Sequence, residues 1–200
     1  MTTPAEQYAA AKKRNSHPLT IKFIEQFDFG FDEFQIAACQ AVEDGKGVLV
    51  AAPTGAGKTV VGEFAAFSAL AQGKKCFYTT PIKALSNQKF AEFQERFGED
   101  RVGLLTGDTN INSEADILVM TTEVLRNMLY ANSSTLKNLG SVVMDEVHYL
   151  ADKFRGAVWE EVLIHLMESV QVISLSATVS NAEEFGEWLG EVRGSTEVIV

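Results

Sequence analysis

The sequence predicts an α/β domain with a mostly parallel central sheet flanked by helices. Two observations carry this expectation. Six apolar segments of strand length recur along the chain: GVLVA (47–51), KCFYTT (75–80), RVGLL (101–105), DILVM (116–120), SVVMD (141–145) and VISLS (172–176). Helix-compatible stretches separate them, at about 58–72, 84–97, 122–130, 155–168 and 181–189, and that alternation is the pattern of a parallel sheet covered by helices.

Upstream of the first strand, residues 4–14 read as a short exposed helix with a basic end at Lys12, Lys13 and Arg14. The following IKFIEQFDFGFDEFQIAACQAVEDG has apolar residues at helical spacing, is interrupted at Gly30 and ends at Gly45, which predicts two helices joined by a Phe-rich turn. Phe34 is assigned to packing. In FRGAVWEEVLIHL, residues Val158, Val162, Leu163 and Leu166 make one apolar helix face, with Trp159 in the core. His165 is read as structural and His17 as a surface residue.

Two hundred residues with 46% hydrophobic content suit one folded domain. Residues 1–20 are taken as an N-terminal extension and 21–200 as the domain. Cys39 and Cys76 lie in apolar stretches without metal-ligand spacing, and are expected as buried free thiols. No apolar run approaches the roughly 18 residues of a membrane span, and the start lacks a secretion signal's apolar core, so a cytoplasmic protein without a membrane partner is expected. The net charge of −10 opposes a non-specific nucleic-acid binder. Any nucleic-acid contact must be local.

APTGAGKT, residues 52–59, follows the first strand and opens a helical stretch. Glycines in such a loop let successive backbone N–H groups and the helix N-terminus point at phosphate oxygens. Thr54, Gly55, Ala56, Gly57, Lys58 and Thr59 are therefore the candidate phosphate-binding residues, with Lys58 reaching the β- and γ-phosphates and the Thr59 hydroxyl holding Mg2+. Ala52 stands where the usual pattern has its first glycine.

VVMDEVHYL, residues 142–150, sets an apolar run against two carboxylates and a histidine. A strand end facing water explains it by itself. Beside a phosphate loop, Asp145 fits a Mg2+ ligand on a neighbouring strand and Glu146 a group that orients the attacking water. A metalloenzyme reading is weaker, since there is no HExxH and no second ligand cluster.

APTGAGKT, TTPIKALSNQK, LLTGD, TTEVLRNML, MDEVH and SLSAT together resemble, in order and spacing, the first motor domain of superfamily 2 DExH-box helicases. FGFDEFQ and FRGAVWEE are similar to the superkiller-type RNA helicases within that group. The resemblance covers about residues 21–190 and implies a RecA-like P-loop NTPase domain that hydrolyses ATP with Mg2+ and grips single-stranded RNA, with DNA as the alternative. It implies that Gln35 recognises the adenine edge and Phe29 stacks on the ring. Pro81, Lys83 and Ala84, then Thr106, Gly107 and Asp108, then Thr121, Thr122 and Glu123, match motifs that touch the nucleic-acid backbone, contacts that hold phosphates without reading sequence. Ser176, Ala177 and Thr178 match the motif coupling hydrolysis to nucleic-acid binding. His148 matches a contact to a second motor domain.

Under that resemblance the arginine finger comes from a second RecA-like domain, whose motifs do not occur in these 200 residues; Arg155 and Arg193 match neither context. The chain is expected to be one half of a motor, with little stimulated ATPase and no unwinding alone. A module that binds nucleotide without hydrolysing it is the remaining alternative.

Overall fold

The computed structural model describes Thr3 and residues 16–147, 156–177 and 182–200. The expected helix over 4–14, together with His148, Arg155 and Thr178, lies outside these residues. The helices are α1 (Pro18–Ile24), α2 (Glu33–Glu43), α3 (Thr59–Ala71), α4 (Lys83–Phe97), α5 (Thr122–Tyr130), α6 (Gly156–His165) and α7 (Ala182–Arg193). The strands are β1 (Gly47–Ala51), β2 (Lys75–Thr80), β3 (Val102–Leu105), β4 (Asn110–Ile111), β5 (Ile117–Thr121), β6 (Leu139–Met144), β7 (Gln171–Ser176) and β8 (Thr196–Ile199).

These strands form one sheet in the order β4-β3-β5-β2-β6-β7-β1-β8. All pairings are parallel except β3 with β4, a short antiparallel hairpin at one edge. All six expected strands form. β4 and β8 were not expected.

Side chains alternate across the sheet and build a core on each face. Val48, Val50, Cys76, Tyr78, Ile117, Val119, Val143, Ile173 and Leu175 pack on one side with α1 to α4. Leu49, Phe77, Leu118, Met120, Val142, Met144 and Val172 pack on the other, where α6 contributes Trp159, Val162 and Leu163. The helix face read from the sequence is the buried one.

The two N-terminal helices lock the start of the domain. Pro18 opens α1, and the backbone N–H groups of Leu19 and Thr20 donate to the Glu43 carboxylate at 2.9 and 2.8 Å, satisfying donors that a helix start leaves open. The Phe-rich turn closes on Phe23, which meets Phe27, Phe31 and Phe64 edge-on. Arg96 of α4 lies 4.2 Å above the Phe27 ring and donates to Gln26 at 2.9 Å. Phe34 packs against this core as expected. His17, expected at the surface, is partly covered, with Nε2 3.0 Å from Asp44.

Candidate nucleotide site and nucleic-acid face

The candidate site residues that the structure describes lie in or just after the Phe-rich turn, or at or beyond the carboxyl end of a strand, where open α/β sheets bind ligands. Strand order sorts them. β3, β5 and β2 are adjacent and end at Leu105, Thr121 and Thr80; β6, β7 and β1 follow and end at Met144, Ser176 and Ala51. The sheet thus has one half carrying the backbone-gripping candidates and one carrying the phosphate candidates.

The phosphate loop runs from β1 into α3. Gly55 and Gly57 have φ of 86° and 79°, a region open to glycine at little cost. The loop is tied down at three places. The Ala52 N–H donates to the Ser176 carbonyl at 3.2 Å, joining it to β7. The Lys58 ammonium donates to the Ala52 and Pro53 carbonyls at 2.7 and 2.9 Å. The Gln35 amide donates to Gly57 O at 3.2 Å, while its Oε1 accepts the Asp32 N–H at 2.9 Å.

Gln35 is therefore a strut between the start of α2 and the loop, and only 5% of it is exposed. Phe29, by contrast, is 56% exposed and stacks with Phe31 at 5.7 Å. It presents an open aromatic face.

Asp145 and Glu146 leave the tip of β6. The Asp145 N–H extends the ladder to Thr79 O at 2.9 Å, and its Oδ1 accepts the Glu146 N–H at 2.9 Å. Its Oδ2 accepts the Tyr78 phenol at 2.7 Å. Thr59 Oγ1 accepts from the Lys89 ammonium at 3.1 Å, and the same ammonium pairs with Glu92 at 2.7 Å. Behind it, burial raises the Glu63 carboxyl above its usual range, against the pull of Arg96 and Lys89.

Tyr78 and Lys89 were not read from the sequence as site residues. The only signals were a hydroxyl-bearing ring in an apolar strand and a lysine at helical spacing from Glu92.

The donors available to a cation are a hydroxyl and a carboxylate, hard oxygens of the kind Mg2+ takes alongside water and phosphate. Among the described residues no cluster of three or more His, Cys, Asp or Glu could hold a metal by protein alone. The residues fit a nucleotide-associated Mg2+.

On the gripping half, Lys83, Ala84, Gly107, Asp108 and Glu123 are exposed, whereas Pro81, Thr106, Thr121 and Thr122 are buried. The buried hydroxyls hold the frame: Thr122 Oγ1 donates to Thr80 O at 3.2 Å, and Thr80 and Ser86 exchange a 2.7 Å bond. Thr106 to Asp108 form the β3–β4 turn, in which the Thr106 hydroxyl donates to Asp108 at 3.0 Å. Lys83 bonds both oxygens of Asp108, at 2.7 and 2.6 Å, and this partner holds the Asp108 carboxyl below its usual range. Ser176 is buried at the tip of β7, between the two phosphate-side strands, with Ala177 partly covered beside it.

A sheet of this order, with a glycine loop at β1 and paired carboxylates at β6, defines a helicase-type P-loop domain. The chain belongs to the DEAD/DEAH box helicase family, which it matches over residues 32–185. It is 62% identical over 179 residues to the probable helicase HelY of Mycobacterium leprae, covering 90% of this chain and 20% of that protein. It is 53% identical over 184 residues to the DExH-box ATP-dependent RNA helicase DExH15 of Arabidopsis thaliana, covering 89% and 16%. Among solved structures it is similar to the Mycobacterium smegmatis helicase Lhr bound to ssDNA and AMP-PNP, with a TM-score of 0.75 and 31% identity over 90% of this chain and 27% of that one. The chain spans about a fifth or less of the curated relatives' length. The resemblance to DExH-box helicases and the RecA-like fold class are borne out.

Proposed function

We propose that this domain is the nucleotide-binding half of an ATP-dependent RNA helicase motor. One observation carries the reading: the glycine loop with Lys58 and Thr59 and the carboxylates Asp145 and Glu146 emerge at the same end of one parallel sheet, from β1 and β6, with β7 between them. Thr59 and Asp145 would hold Mg2+, which when bound neutralises phosphate charge. Lys58 adds a second cation at the β- and γ-phosphates, and Glu146 orients water for in-line attack. Phe29 offers its open face to the base. Gln35, whose amide supports the loop, would sense the same ligand through that loop as well as at the adenine edge.

The gripping half supplies backbone-level contact through Lys83, Ala84, Gly107 and Glu123, with Asp108 setting the position of Lys83. Ala52 N–H bonded to Ser176 O gives the hydrolysis site a direct link to the 176–178 segment. The arginine finger and the other wall of the nucleic-acid channel would come from a second RecA-like domain, the expected partner of His148. No helix among the described residues is long and apolar enough to cross a membrane, in keeping with a cytoplasmic motor.

RNA is favoured because the relative at 53% identity is named an RNA helicase. DNA is the second reading, because the Lhr structure at 31% identity holds ssDNA. Competition between RNA and DNA of one sequence in stimulating ATPase of the longer polypeptide separates them.

Calorimetric titration of Mg·ATP and Mg·ADP tests the nucleotide site. The expected result is saturable binding by this chain, lost in Lys58→Ala. Equal binding by both proteins would overturn the role given to the phosphate loop.

A further inference from the structure

Tyr78 is completely buried in β2, yet its hydroxyl reaches the first of the two carboxylates at the tip of the neighbouring strand, Asp145, at 2.7 Å. A buried phenol needs a hydrogen-bond partner, and here that partner is Asp145. The side chain is also built into the phosphate-loop helix. A Cβ placed on Gly62 of α3 would lie 2.7 Å from Tyr78 Cε2 and 3.3 Å from Val143. Only a residue without a side chain leaves room there for the ring.

We propose that Tyr78 is a positioning residue for the cation site. It rests on reading Thr59 and Asp145 as the Mg2+-holding residues. Its phenol donates to Oδ2 while the Glu146 N–H donates to Oδ1, so both carboxylate oxygens are held by one hydrogen bond each. A carboxylate has about four lone-pair positions; two remain to receive the cation or its water. Rotation about the Asp145 side chain would break one of the two bonds. The ring, wedged against Gly62, also carries the position of α3, and with it Thr59 at that helix's first residue, to Asp145. Two oxygen donors, one at the start of α3 and one at the tip of β6, are thereby kept in register before any ligand arrives.

Partners that orient metal ligands typically change metal affinity 10- to 100-fold when removed. The test follows binding, independently of turnover. A fluorescent ADP analogue is titrated into wild type and Tyr78→Phe, with chelator and across a Mg2+ series. The expected result is an unchanged affinity in chelator and a Mg2+ midpoint raised about 10-fold or more in the variant.

An unchanged midpoint overturns the proposal. So does an equal loss of affinity with and without Mg2+, which would mean that Tyr78 supports the fold alone. If Tyr78→Phe fails to fold, Gly62→Ala keeps the phenol and crowds its ring, and it must raise the midpoint in the same way. If wild type itself shows no Mg2+ dependence, the reading of Thr59 and Asp145 has failed, a result distinguishable from failure of the Tyr78 assignment.

Discussion

Glu146 holds a left-handed backbone at φ 60°, which costs a residue with a side chain on the order of 1–2 kcal/mol. The bond from its N–H to Asp145 fixes that turn and swings the chain off the sheet where the chemistry is expected. Lys58, Thr59, Asp145 and Glu146 were legible because the phosphate loop and the carboxylate pair each sit within a few consecutive residues. Tyr78 and Lys89 were not, because their partners lie 67 and 30 positions away; only folding joins them. Cys76 shows the same dependence on environment in a testable form. Burial pushes its thiol up to about 12, and burial also drives Cys39 upward. At pH 8 the folded chain should therefore react with iodoacetamide far more slowly than the urea-unfolded chain, with mass spectrometry counting adducts. Both thiols have raised folded-state pKa values, so stability should fall as pH rises above about 8.5, where unfolded thiols ionise, and continue to fall toward 12. A native chain that is alkylated as fast as the unfolded one would show that the two thiols are not buried.

Strands β1, β2, β3, β5, β6 and β7 were visible because each is buried enough to need several consecutive apolar residues. β4 has two residues, both exposed, and so leaves no apolar mark. Its position is fixed by tertiary contact: Leu104 pairs with Ile111 and Leu105 with Asn110, which folds the Thr106–Asp108 turn beside Lys83. β8 escaped for a different reason, since its apolar residues were visible but its partner β1 lies about 150 positions earlier in the chain, the separation spanned by the Lys46–Glu197 bond. The hairpin makes its own prediction through Gly103. A Cβ there would collide with the Asn112 carbonyl and lie 2.8 Å from the Ile111 carbonyl, both backbone atoms that cannot rotate aside. Gly103→Ala should lower stability by about 1–3 kcal/mol in urea denaturation. No change would mean that β4 does not close over β3.

The molecule as a whole carries a net charge of −10, and a polyanion should be repelled by most of its surface. The exposed candidates for phosphate contact include only one cation, Lys83, and that cation is held by Asp108. Binding a phosphate there means exchanging one anionic partner for another, so little net attraction is expected. Counterion release gives the magnitude: the logarithm of the binding constant falls with the logarithm of salt by about 0.7 per phosphate neutralised on a single strand. If Lys83 is the sole ion-pairing contact and the rest are backbone groups, the chain should bind single-stranded RNA weakly, with a slope near −0.7. Lys83→Ala should bring it close to zero. Asp108→Asn removes the competing negative charge and frees Lys83, so the slope should persist while affinity rises; fluorescence anisotropy at low ionic strength reads all three quantities. A slope steeper than about −3 would require several further cations at the interface. It would place the grip on a basic surface other than the ends of β2, β3 and β5.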